Sequence, residues 1–124
     1  RETVHTVLSA LAGGMPVPQA ARVRLEGYVI DAVKHAELRL NGHEPASWVV
    51  VPEKAGSALM KDRLVLAANA LLGQPVIANV RECAACSWLF LDLSKSKSRR
   101  WCSMATCGNR AKAQRHYRAM KESG

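Results

Sequence analysis

Aromatic side chains are few in this 124-residue chain, at 5%, with a single Phe. A core stacked from large rings is therefore excluded, and Leu, Val and Ala must fill it. No apolar run approaches the roughly 20 residues that a spanning helix needs, so no membrane partner is expected. No apolar h-region with a cleavage site is visible either, and nothing points to export. A reducing, cytoplasmic setting is expected. No carboxylate pair and no Ser/His/Asp pattern stands out, and an enzyme is not expected. The four histidines, His5, His35, His43 and His116, are scattered, and none is needed as a ligand. There is no internal repeat and no low-complexity tract.

Acids are scarce in one part of the chain only. Through residue 80, eight Lys/Arg face seven Asp/Glu; beyond it, ten face three, namely Glu82, Asp92 and Glu122. The formal charge of +8 thus sits almost wholly on the last third. A merely solvated surface does not explain that segregation. A basic module beside a near-neutral one suggests a polyanionic partner, nucleic acid foremost. The length suits one domain, or a small domain with an appended module.

Cysteine is equally segregated. All four lie between Cys83 and Cys107, as C-x2-C, a fifteen-residue spacer, then C-x4-C. A C-x2-C knuckle turns both thiolates toward one point, and a second pair returned by a hairpin completes the tetrahedron that Zn2+ prefers. Two disulfides are the competing reading, and a reducing compartment disfavours them. Free buried cysteines have no reason to cluster. Cys83, Cys86, Cys102 and Cys107 are therefore expected to hold one structural zinc ion, with no open position for catalysis.

The same stretch resembles a known family, the bacterial CGNR zinc-finger proteins. The likeness runs through Cys83-x2-Cys86, Phe90-x-Asp92-x-Ser94, Arg99-Arg100-Trp101-Cys102 and Cys107-Gly108-Asn109-Arg110, followed by Lys112. It implies a four-cysteine finger that binds DNA at the C-terminus of a stress-induced transcriptional regulator. The helical stretch before it is similar, by arrangement, to the later part of the domain that precedes this finger. The chain opens at Arg1 inside a helical pattern, without Met, as expected of a fragment lacking an earlier N-terminal segment.

The expected class is mainly α with a small β component: a helical domain over 1–79, then a treble-clef-like finger over 80–124. Thr3 is placed to cap a first helix with Val4, Val7, Leu8 and Leu11 on one face. Pro18 opens a second helix, about Gln19 to Leu40, with a stripe of Ala21, Leu25, Tyr28, Val29, Ala32 and Ala36. Ser47 to Val51 reads as a strand. A third helix, about Lys54 to Leu72, carries Met60, Leu64, Ala67 and Leu71, and Gly73 ends it. Gln74 to Val80 reads as an extended connector.

In the finger, Trp88 to Leu93 is expected as a strand, Ser94 to Ser98 as a turn, and Arg99 to Trp101 as the returning strand. A C-terminal helix runs from about Cys107 to Met120. Its Ala113, His116, Tyr117 and Met120 are expected to pack on the hairpin. Arg99, Arg100, Arg110, Lys112, Arg115 and Arg118 are the candidate nucleic-acid contacts. Asp92 suits pairing across the hairpin, orientation near the metal, or an ordinary turn carboxylate. Arg110 either braces Asp92 or points outward. DNA is the expected partner; RNA, or a protein partner for a finger that merely closes a small fold, is the alternative. A homodimer and a small effector on the helical part stay open.

Overall fold

The computed structural model describes residues 1–122. Ser123 and Gly124, the end of the 80–124 segment, lie outside it. The order is α1 (Glu2–Ala12), α2 (Gln19–Lys34), β1 (Ala36–Arg39), β2 (Ser47–Val50), α3 (Pro52–Ala55), a 3-10 turn (Gly56–Ala58) and α4 (Leu59–Leu72). A second 3-10 turn (Pro75–Asn79), β3 (Val80–Glu82), β4 (Leu89–Leu91), a π-turn (Met104–Gly108) and α5 (Asn109–Glu122) follow. The fold is mainly helical with two small antiparallel hairpins, β1–β2 and β3–β4. Among the described residues, no helix is long and apolar enough to cross a membrane.

The helical period of α2 sets the core. Leu25 and Ala32 are buried on one face, with Ala21, Tyr28 and Val29 partly covered beside them. Val7 of α1, Val50 of β2, Ala55 of α3, and Val65 and Leu66 of α4 close around that face. Each large aliphatic side chain so buried contributes about 1.5–3 kcal/mol. With so few rings, the buried residues of this core are all aliphatic. α1 also packs on β3, which joins the helical part to the finger. There the Ser9 hydroxyl donates to the Glu82 carboxylate, and the His5 ring lies 3.3 Å from the Ser87 carbonyl.

Several sequence expectations are corrected. Thr3 does not cap α1; it is buried one residue inside the helix, which starts at Glu2. α2 stops at Lys34, not near Leu40, because 36–39 pairs with 47–50 in the register Ala36↔Val50 and Leu38↔Trp48. β1 supplies hydrogen-bond partners for the β2 backbone, of which only Val50 is buried. The third helix is broken into α3, a turn and α4 where Gly56 takes a φ of 51°. The break rotates the buried face to Asp62, Val65, Leu66 and Ala68. Met60 is left 75% exposed and Leu64 46%. Residues 75–79 are a 3-10 turn, not an extended connector.

Asp62 explains part of that rotation. Its side chain is fully buried, and Oδ2 lies 2.8 Å from Nδ1 of His35, at the C-terminal end of α2. Lys61 Nζ stands 3.3 Å from Oδ1, which has no hydrogen-bonded partner among the described residues. Burial pushes the Asp62 pKa up, but the His35 ring and the Lys61 ammonium outweigh it and hold the carboxyl below its usual range. The pair therefore ties α2 to α4 through one ionised group.

His35→Ala should cost about 1–3 kcal/mol by chemical denaturation, because it leaves Oδ2 of the buried carboxylate without its hydrogen bond while Lys61 stays beside Oδ1. Since the folded-state pKa of Asp62 is depressed, its contribution is present above the unfolded carboxyl value and is lost as pH falls through the folded one. The destabilisation by His35→Ala should shrink correspondingly below about pH 4.

Candidate metal centre

The first pair of ligands is set by a hairpin turn. β3 and β4 pair as Val80↔Leu91, Arg81↔Phe90 and Glu82↔Leu89, and the knuckle is the connection between them. The Cys83 N–H donates to the Trp88 carbonyl at 2.9 Å, and the Ser87 N–H donates to the Cys83 carbonyl at 3.1 Å. Ser87 closes the turn with a φ of 56°, in the left-handed region that costs an L-residue of this kind about 1–2 kcal/mol.

That pairing corrects the expected hairpin. β4 pairs with the upstream Val80–Glu82, and 99–101 is not a strand. The return segment is instead tethered at single points. Asp92 is the main one: its buried carboxylate accepts from the Ser94 N–H at 3.0 Å, the Ser94 hydroxyl at 2.5 Å and the Arg99 N–H at 2.9 Å. The Ser94 hydroxyl first, then the two backbone N–H groups, hold the Asp92 carboxyl down at about 2 despite its burial. Of its sequence readings, Asp92 is a turn carboxylate that pins the return segment by its backbone. The second tether is the Ala84 N–H, which donates to the Arg100 carbonyl at 3.0 Å. The third is the Arg99 guanidinium, 2.8 Å from the Cys102 carbonyl and 5.1 Å above the Phe90 ring.

Cys102 ends this segment, and the π-turn carries Cys107 back under it. Gly108 is buried there, and a Cβ would stand 2.7 Å from Met104 Sδ and 3.2 Å from Trp101 Cδ1. The Met104 end can swing aside, but the indole leaves less room. The Asn109 amide donates to the Ala105 carbonyl at 3.3 Å, securing the turn.

The four sulfurs come within 4.8 Å of one another. Cys86 to Cys102 and Cys102 to Cys107 are each 3.7 Å, far beyond the roughly 2.05 Å of a disulfide. A regular tetrahedron with Zn–S bonds of about 2.3 Å has edges of roughly 3.8 Å, so the spacing fits zinc. The thiol energetics agree. Backbone N–H groups, that of Cys102 first, bring Cys83 down to about 6. Burial and then the neighbouring thiols push Cys102 up to about 12, and the Cys86 thiol raises Cys107. One thiolate forms readily, and a full set requires a cation to balance it. Cys83, Cys86, Cys102 and Cys107 are the residues that would hold that ion.

Beside the metal ligands lies a groove of about 510 Å³. Ala84 and Ala85 of the knuckle form one wall, with Arg100 and Trp101 next to them. Arg110, Gln114, Arg115 and Arg118 of α5 line the other side. Among the described residues, no carboxylate lines it. Four of the six candidate nucleic-acid residues are thus brought together, and Arg110 faces the groove with no tie to Asp92. Arg99 is turned onto the Cys102 carbonyl, and Lys112 falls on the far side of α5. Trp101 and the two alanines were not legible as lining residues, since only the fold of the knuckle sets them opposite α5. The expected packing of Ala113, His116, Tyr117 and Met120 on the hairpin is overturned. α5 has no buried residue, and Tyr117 and Met120 are 73% and 61% exposed.

The purified protein should carry one zinc per chain by elemental analysis, and Cys107→Ser should abolish it. Structural zinc in finger peptides supplies about 10–16 kcal/mol, so chelation should unfold residues 80–122 while the α2–α4 core keeps most of the far-ultraviolet helical signal. Because Asp92 has a depressed folded pKa, its tether should hold above the unfolded value near 4 and loosen as pH falls toward 2.

No curated protein matches this chain significantly. The stretch that gathers the four cysteines and the groove, residues 79–119, matches the family model of the CGNR zinc finger.

Proposed function

We propose that this chain binds DNA through a basic groove organised by zinc, and that it acts as a transcriptional regulator in the cytoplasm. The observation that carries the reading is the groove itself: Arg100, Arg110, Arg115 and Arg118 line it, and no acid among the described residues does. None of the four makes an ion pair with a carboxylate among the described residues. Guanidinium forks match phosphate oxygens bidentately, and an uncompensated cluster of them is an electrostatic footprint for a polyanion. The bland alternative, a solvated amphipathic helix, does not require basic side chains from two separate segments to meet.

The site acts without catalysis on this reading. Four thiolates fill a tetrahedral ion and leave no position for water or substrate. The metal's work is to fix the walls. A finger that docks on protein is the second reading, and Trp88 and Leu93, 68% and 69% exposed, are what favour it. Salt separates the two. Phosphate contacts release counterions, so log affinity falls linearly with log salt, whereas an apolar contact is insensitive to it.

Binding of the zinc-loaded chain to a genomic DNA library, offered as duplex and as separated strands, should weaken steeply between low and moderate salt. Arg115→Glu combined with Arg118→Glu should remove most of that affinity while zinc content and circular dichroism stay unchanged. Full affinity in that double variant would make the arginines a solvated face and return the finger to the protein-docking reading.

A further inference from the structure

The basic side chains beside the metal site line a concavity, and that shape selects among nucleic acids. Resting on the reading that this groove takes nucleic acid, we infer that it holds an unpaired strand in preference to a duplex. A volume of about 510 Å³ lies within the roughly 300–1,000 Å³ of pockets that enclose small ligands. A duplex meets a protein the other way round: it is the convex partner, and a helix enters its major groove. Here the α5 arginines line a concavity that they share with the knuckle, so the protein is the concave partner.

The floor adds a second argument. Trp101 is half-buried, and the Arg100 guanidinium lies 5.2 Å from its ring centroid. A guanidinium over an indole gives a cationic and aromatic platform for the face of a base. Base faces are open in an unpaired strand and closed in a duplex. The adjoining knuckle is permissive, since Ala84 and Ala85 put only methyl groups where a backbone would pass.

Chemistry along α5 fits the same ligand. Arg110 and Arg118 are eight residues apart, about 12 Å along a helix, with Arg115 between them. They place donors along a line, as the phosphates of one strand require. Gln114 stands among them with both a donor and an acceptor, the pair of groups that a base edge offers in return. Phosphates on α5, a base on Arg100 and Trp101, and small side chains on the knuckle make a complete single-strand site.

The test compares one fluorescein-labelled mixed-sequence oligonucleotide, single-stranded and annealed to its complement, by anisotropy against the zinc-loaded chain at several salt concentrations. The single strand should bind at least tenfold tighter, with a salt slope of about −0.7 per phosphate contact. Arg100→Ala, at an exposed position, should weaken single-strand binding about tenfold, as loss of one stacked base does, and leave zinc content unchanged. In a Trp48→Phe/Trp88→Phe background, the remaining Trp101 fluorescence should be quenched by the single strand and not by the duplex. Equal or tighter duplex binding overturns the single-strand inference and leaves the nucleic-acid reading standing. Binding of neither form by folded, zinc-loaded protein overturns both. Competition by free nucleoside phosphates as effective per phosphate as the oligonucleotide also overturns the inference, because it makes the groove a small-anion site.

Discussion

Four sulfurs within 4.8 Å of one another cannot all ionise unless a cation sits among them, and the finger is built around that constraint. Little else in residues 80–122 would hold it. Its hairpin is three residues per strand, α5 buries nothing, and the return segment hangs from Asp92 and two further tethers. Such a segment cannot offset its chain entropy with apolar burial alone. Each wall of the basic groove is also covalently next to a ligand. Ala84 and Ala85 lie between Cys83 and Cys86, Trp101 precedes Cys102, and Arg110 follows Cys107 by three residues. Gathering the sulfurs is therefore what brings the walls together.

The helical part obeys a different rule. Its apolar stripes bury one another, and its one internal charge is matched at close range by His35 and Lys61. The link between the two parts is α1, which packs on α2 by one side and on β3 by another. Ser9 and His5 are the α1 residues that reach Glu82 and the Ser87 carbonyl.

The metal ligands were legible because spacing alone specifies them: two close pairs of thiols, one hairpin apart, are what a tetrahedral ion requires. The face of α2 was legible for a similar reason, since its period runs unbroken over four turns. The face of α4 was not. Met60, Leu64, Ala67 and Leu71 make a helical stripe as regular as the true one, and the carboxylate of Asp62 argues against burial until His35 is known to meet it. The pairing of β4 was hidden as well. Trp88 to Leu93 can pair forward or backward, and only the tight C-x2-C turn decides for the upstream strand. Charge counts foretold a basic finger, but the convergence of Arg100 with Arg110, Arg115 and Arg118 depends on the knuckle folding opposite α5. Arg99, its neighbour in sequence, is bound instead to the Cys102 carbonyl.

If the metal organises the groove, the two ligands must be coupled reciprocally, because a factor that zinc confers on nucleic-acid affinity returns on zinc affinity. The most direct measurement is competition for zinc by a chromophoric chelator, with and without a saturating oligonucleotide, at fixed salt. The account predicts that bound oligonucleotide raises zinc affinity and slows metal loss, by the same factor in equilibrium affinity that zinc gives the oligonucleotide. Zinc affinity unchanged by an oligonucleotide that does bind would contradict it, since the binding surface would then stand independently of the four cysteines.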